Sequence, residues 1–147
     1  ISQLALIYDG MKKFEESDLL YEDALHLDPN NHLILNNYSY SLSERGLQLD
    51  RSMEMSKKAV EQQAENQSYL DTFGWIYFKL GNFAEAEKWI KKAIEKGNAS
   101  AVLYEHLGDV YSHMNDQERA VEQWNIALKL DASNAALKEK ISRSMPR

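Results

Sequence analysis

The 147-residue sequence contains no cysteine, only two prolines and only six glycines. Without cysteine the chain can form neither a disulfide nor a zinc-thiolate site, and it has no thiol nucleophile. The absence leaves the redox compartment open, because a cysteine-free chain tolerates reducing and oxidising surroundings equally. Because proline and glycine punctuate the turns of β proteins, their scarcity argues against a turn-rich β fold.

Positive charge is also scarce, and long apolar runs are missing. Lysine and arginine number 17 against 23 aspartates and glutamates, which gives a formal net charge of −6. A protein that binds nucleic acid needs a basic face, so we expect no nucleic-acid partner. No apolar run approaches the ~20 residues that span a bilayer, so we expect a soluble segment that does not insert into a membrane. A hydrophobic content of 44% is enough to build a core.

The sequence does contain an internal repeat, which is the first pattern to test in any chain. A large apolar residue, a very small one and a second large one recur four times, with the small residues at Ala5, Ser39, Gly74 and Gly108. Their spacings are 34, 35 and 34 residues. Apolar residues at helical spacing within 67–80 and again within 83–96 predict two amphipathic helices in each unit.

The small residues and the turns predict how these helices pack. Two antiparallel helices approach closely only where one side chain is nearly absent, so we expect Gly74 and Gly108 where the two helices of a hairpin touch. Gly46, Gly81 and Asn115 lie between helices and suit left-handed turns. The units are predicted to run over about 1–31, 32–66, 67–100 and 101–134. A capping helix is predicted over about 134–144, with Lys138, Lys140 and Arg143 on its outside.

A 34-residue helix-turn-helix unit with these columns resembles the tetratricopeptide repeat family, and the third and fourth units match best. The second unit departs most, since it carries Ser39, Ser52 and Ser56 and one extra residue between its helices. The sequence is similar to arrays of bacterial multi-repeat proteins. The resemblance implies a single domain over 1–147. Its fold would be an all-α, right-handed α-solenoid of four hairpins plus the capping helix. Ile1 already belongs to the first helical pattern, so we expect a fragment of a longer array. The bacterial cytoplasm and the periplasm both remain possible.

The family resemblance further implies a peptide-binding groove on the concave face, lined by the first helix of each hairpin. The repeat register places these candidate partner-binding residues in it: Asn36, Asn37, Tyr40, Asp71, Thr72, Trp75, Phe78, Glu105, His106 and Asp109. One known mode of the family grips a C-terminal carboxylate with cations, but here acids and a histidine occupy the later positions.

An aromatic centre flanked by acids suits an apolar or basic segment of a partner protein instead. In the alternative interpretation, Trp75 and Phe78 are partly buried against neighbouring helices and only fill the inner wall. A second alternative is that an upstream repeat or a neighbouring molecule covers them.

The sequence therefore predicts a protein–protein interaction scaffold, without enzymatic activity, cofactor or metal. One constellation argues otherwise: His106, Asp109 and His113 share a helix face, and imidazole with carboxylate can bind zinc. The same residues arise easily on the solvated face of a highly charged protein. We therefore interpret them as ordinary surface residues and not as metal ligands. Two other functions stay open, a structural spacer within a larger multi-repeat protein with no ligand of its own and a metal-dependent enzyme fragment.

Overall fold

The computed structural model describes residues 2–144, and the expectation that Ile1 opens the first helix lies outside the described residues, as do residues 145–147. The described part consists of nine α-helices and contains no strand. They are α1 (Ser2–Gly10), α2 (Phe14–Leu27), α3 (His32–Glu44), α4 (Leu49–Gln62), α5 (Gln67–Lys79), α6 (Phe83–Ile94), α7 (Ala101–His113), α8 (Gln117–Leu130) and α9 (Ala135–Ser144).

Short polar side chains begin many of these helices. A side-chain oxygen at the N-cap accepts a hydrogen bond from the backbone N–H three residues further on at Asn31, Asn66, Asn82, Asp116 and Asn134. Gly46, Gly81 and Asn115 have positive φ angles of 68°, 85° and 62°. The left-handed turns that the sequence predicts between paired helices are therefore confirmed.

The helices stack as four antiparallel hairpins, α1–α2, α3–α4, α5–α6 and α7–α8, each packed on the next. The first helices of successive hairpins also contact one another, from α1 to α3, α5 and α7. These four helices therefore lie closer to one another than the second helices of the hairpins do, and they form the inside of the curve. The chain is a right-handed α-solenoid, as predicted.

Two glycines set the closest approach within the third and fourth hairpins. A Cβ atom added at Gly74 would lie 2.7 Å from Ile90 Cγ1 on the partner helix. One added at Gly108 would overlap the indole ring of Trp124. Because real Cβ atoms essentially never approach so closely, both positions require glycine in this packing, which confirms the prediction.

The second hairpin is built differently. Its helices are joined by four residues, 45–48, where the other hairpins use three, and Gln48 takes the extra left-handed conformation with φ of 46°. Ser39, Ser52 and Ser56 are fully buried between the helices. The hydroxyls of Ser52 and Ser56 have no hydrogen-bond partner within residues 2–144. At these columns this hairpin therefore buries hydroxyl groups where the third and fourth bury apolar side chains, although Met55 and Ala59 of α4 still belong to an apolar cluster.

Helix α9 covers the last hairpin by burying Leu137 and Ile141 against Trp124 and Ala127 of α8. Such a cap shields the end of a stack in which each repeat contacts only its neighbours. Ile126 and Leu130 of α8 lie outside this apolar cluster, and their side chains are 37% and 56% exposed.

Candidate functional site

The inner wall formed by α1, α3, α5 and α7 contains several clefts, two of which adjoin at Tyr40 and Val102. The larger, called here the central cleft, has a volume of about 390 Å³, and its lining includes Leu6, Asp9, Asn36, Tyr40, Asp71 and Val102. The smaller, called the acidic cleft, has a volume of about 260 Å³, and its lining includes Tyr40, Glu44, Trp75, Glu105, Asp109 and Lys140. All ten candidate residues except Phe78 line one cleft or the other.

The candidate residues differ in how far they reach solvent. The half-buried ones are Asn37, Tyr40, Phe78, Glu105 and Asp109, and the buried ones are Asn36, Asp71, Thr72, Trp75 and His106. The buried members form the floor of the clefts. The half-buried members offer the side-chain surface that an incoming ligand meets first.

Trp75 belongs to the floor, with only 6% of its surface exposed. Its ring stacks on His106 at 3.9 Å between ring centres and on Phe78 at 4.6 Å. The indole Nε1 donates a hydrogen bond to Glu44 Oε1 at 2.5 Å. The ring of Phe78 also packs on Phe83 at 5.7 Å, which turns it toward the α5–α6 connection. The structure therefore has the arrangement of the alternative interpretation, in which Trp75 and Phe78 are partly buried against neighbouring helices and fill the inner wall.

A buried pair of opposite charge lies beside that ring. His106 Nδ1 is 3.0 Å from Asp71 Oδ1 and 3.1 Å from Oδ2, and both side chains are buried. Burial by itself lowers the pKa of His106, but the charge and hydrogen bond of Asp71, with Glu44 and Asp109 nearby, outweigh it and raise the pKa above its usual value. The histidine, held between a carboxylate and an aromatic face, therefore keeps its proton to a higher pH than a free imidazole does.

Helix α9 adds a lysine to the acidic cleft that the sequence prediction placed elsewhere. Lys140 was expected on the outside of the cap, and this is wrong: its Nζ lies 2.7 Å from Glu105 Oε2 and 2.9 Å from Asp109 Oδ1. Burial lowers the pKa of Lys140, but the hydrogen bonds to both carboxylates outweigh that effect and raise it. The repeat register could have predicted this placement of Lys140 on the inner wall, because position 140 follows His106 by one 34-residue period.

The remaining carboxylates of the wall also accept hydrogen bonds from fixed donors. Asp9 accepts from the Tyr21 hydroxyl and from Ser41 Oγ, each at 3.0 Å, and Asp109 accepts from Trp124 Nε1 at 3.1 Å. Burial, followed by the nearby charges of Glu44, Asp71, Glu105 and Asp9, raises the pKa of the Tyr40 hydroxyl, so it stays neutral. The wall is thus a rigid surface with an excess of negative charge.

The described residues do not support the metal-site hypothesis. Within residues 2–144 no three histidine, aspartate or glutamate side chains are arranged to hold a metal ion. His106 is engaged by Asp71, and His113 Nδ1 lies 3.0 Å from the backbone carbonyl oxygen of Asp109 in its own helix. None of the helices in the described part is both long enough and apolar enough to cross a membrane.

Comparison with known proteins gives consistent matches. A family model described as tetratricopeptide repeat matches residues 2–31, 68–95 and 101–134, but not the divergent second hairpin. The TPR repeat-containing protein PA4667 of Pseudomonas aeruginosa is 29% identical over 94 residues, which cover 64% of this chain but only 15% of that protein. The chain thus spans about a seventh of the length of this curated relative.

Solved structures share the architecture at low sequence identity. The crystal structure of MamA has a TM-score of 0.73 at 21% identity and covers 95% of this chain and 81% of its own. A structure described as the first TPR of Spaghetti (RPAP3) bound to HSP90 peptide SRMEEVD has a TM-score of 0.70 at 19% identity. It covers 80% of this chain and 92% of its own. At these identities the likeness concerns the fold.

Proposed function

The chain belongs to the tetratricopeptide repeat family, and from this premise we propose that its concave groove binds a segment of a partner protein. The observation that carries the proposal is the pair of adjoining clefts on the inner wall, where accessible side chains lie above a fixed polar floor. Rigid, partly apolar concave surfaces with a few placed polar groups are typical of binding sites. The structure of the first TPR of Spaghetti (RPAP3), in which a similar fold is bound to an HSP90 peptide, supports this use of the fold.

The partner segment is proposed to be apolar or basic, and not a C-terminal carboxylate. Glu105 and Asp109 face the acidic cleft, and the cation that they contact, Lys140, is supplied by the chain itself. A carboxylate brought to this wall would meet charge of its own sign, whereas a basic segment would be attracted. Leu6 and Val102, 52% and 47% exposed, offer apolar surface on the rim of the central cleft.

Within this proposal the candidate residues have different roles. Tyr40 is the aromatic contact for the partner, since it is half-buried and lines both clefts. Trp75 and His106 are positioning residues, because they support the wall from beneath. The proposed contact residues are Asn36, Asn37, Tyr40, Glu105 and Asp109, and the proposed positioning residues are Asp71, Thr72, Trp75, Phe78 and His106.

The test uses peptides selected against the chain from a random displayed library. Tyr40→Ala should weaken binding of a selected peptide by about 2 kcal/mol, the scale of a well-packed aromatic contact, as measured by calorimetry. The matched control is Tyr104→Ala, which removes a half-buried tyrosine of α7 that lines neither cleft. Circular dichroism melts establish that both variants are folded. A folded Tyr40→Ala protein that keeps full affinity contradicts the proposal, and failure to select any peptide favours the structural spacer.

A further inference from the structure

Two hydrogen-bonded pairs cross the inner wall at equivalent positions of successive repeats. Asp71 of α5 pairs with His106 of α7, and Glu105 of α7 pairs with Lys140 of α9. In each pair a carboxylate on one helix meets a nitrogen donor two helices further along the chain. The repeat register makes Asn36 the equivalent acceptor one repeat earlier, and Thr72 stands at its donor position.

This earlier pair lacks the bond that the other two have. Asn36 is 4% exposed, and its Oδ1 has no hydrogen-bond partner in the described part of the chain. Its Nδ2 donates to Asn37 Oδ1 at 3.4 Å. Buried side-chain acceptors are nearly always bonded, so the structure leaves a donor missing here. Asn36 is part of the lining of the central cleft, and its Oδ1 is covered in the free chain, so the donor of a ligand reaches this oxygen when the amide turns.

The chemistry of the central cleft indicates which donor fits. Asp9 and Asp71 contribute carboxylates to its lining, and none of the described residues that line it is lysine, arginine or histidine. Leu6, Tyr40 and Val102 add apolar surface beside these polar groups. An apolar stem that ends in a positively charged donor complements both parts of the cleft.

The adjoining acidic cleft shows that the wall accepts such a group. Lys140 enters it from α9, and its ammonium contacts two carboxylates. The ammonium also lies 5.9 Å from the ring centre of Trp124, within range of a cation–π contact. A lysine is therefore already the natural occupant of one position in this series.

We propose that the central cleft is a subsite for a lysine side chain of the partner segment. The ammonium donates to Asn36 Oδ1 and is attracted by Asp9 and Asp71, while the methylene stem lies against Leu6 and Val102. Binding turns the Asn36 amide toward the ligand. This inference rests on the proposed function, since it assigns the chemistry of one position in the same groove.

The probes are N-acetyl-lysine methylamide and its uncharged counterpart, N-acetyl-norleucine methylamide, titrated against the ¹⁵N-labelled chain. The lysine compound should produce saturable shifts in the side-chain amide of Asn36 and in the backbone of residues 36–40. The norleucine compound should bind about tenfold more weakly, as expected for loss of a hydrogen bond to a charged group. Equal affinity of the two compounds, or no saturable shift with either, overturns the subsite.

Two variants separate this subsite from general attraction between charges. Asp9→Asn should weaken the lysine compound several-fold, whereas the control Glu118→Gln makes the same change in net charge on exposed α8 and should leave its affinity unchanged. Asn36→Leu should abolish the preference for lysine over norleucine, and a spectrum otherwise like the parent shows that the wall is intact. If the preference survives in Asn36→Leu, the assignment to Asn36 is wrong. If selected peptides still depend on Tyr40 while the lysine compound fails, only the subsite is lost and the proposed function stands.

Discussion

Individual carboxylates on the inner wall are held by donors from neighbouring helices. Asp71 meets His106, Asp9 meets Tyr21 and Ser41, and Glu44 accepts from Trp75. A buried charge is costly unless it is paired and hydrogen-bonded. The donors therefore allow the wall to keep its negative charge at fixed positions, where it can attract a partner without reorganising.

The buried His106 should make stability depend on pH. Its pKa is raised in the folded state above the usual 6.5, so its contribution to stability is fully present below pH 6.5 and is lost as the pH rises through the folded-state pKa. Urea denaturation at a series of pH values measures the difference in unfolding free energy between the parent and His106→Gln. This difference should be largest below pH 6.5 and should fall as the pH rises through the folded-state pKa of His106. The NMR titration of the ring protons should report the raised pKa, and a difference independent of pH would contradict the prediction.

A single substitution tests the close approach at Gly108. Gly108→Leu forces a branched side chain into the indole of Trp124, so it should lower the free energy of unfolding by at least the ~1–3 kcal/mol typical of overpacking. Thermal melts compare it with Glu118→Leu, which adds a leucine at an exposed position of the next helix. If both variants melt like the parent, the hairpin packing described here is wrong.

At the scale of the elements, local sequence was enough to predict the hairpins. The apolar spacing within 67–80 and 83–96 and the turn at Gly81 predict α5 and α6, because amphipathic period and turn chemistry act over a few residues. The burial of Trp75 and the contact of Lys140 could not be predicted in the same way. Each depends on a side chain about a repeat away, His106 for Trp75 and Glu105 for Lys140.

Removal of α9 tests the capping role of that element. Deletion of residues 135–147 uncovers Trp124 and removes Lys140 from Glu105 and Asp109. Because contacts reach only neighbouring helices, the effect should be local: amide hydrogen exchange should rise most in residues 117–130, and self-association should increase. Exchange measured by mass spectrometry on the full and truncated chains gives the comparison. Unchanged exchange in α8 would show that α9 does not stabilise the stack.

At the scale of the whole molecule, the two ends of the stack differ. The last hairpin is covered by α9, whereas Leu4 and Ile7 of α1 are 45% and 57% exposed. Tyr38 and Ile76, at the equivalent positions of later repeats, are 2% and 0% exposed, since a preceding hairpin packs there. We propose that a further hairpin of a longer array covers this face of α1.

The binding of a partner segment along the inner row of helices is the central claim, and its footprint can be measured. Hydrogen–deuterium exchange of the chain with and without a selected peptide should show protection in α1, α3, α5 and α7, which line the clefts. The outer helices α2, α4, α6 and α8 should exchange as in the free chain. Protection confined to the outer helices would place the interface on the convex face and contradict the account.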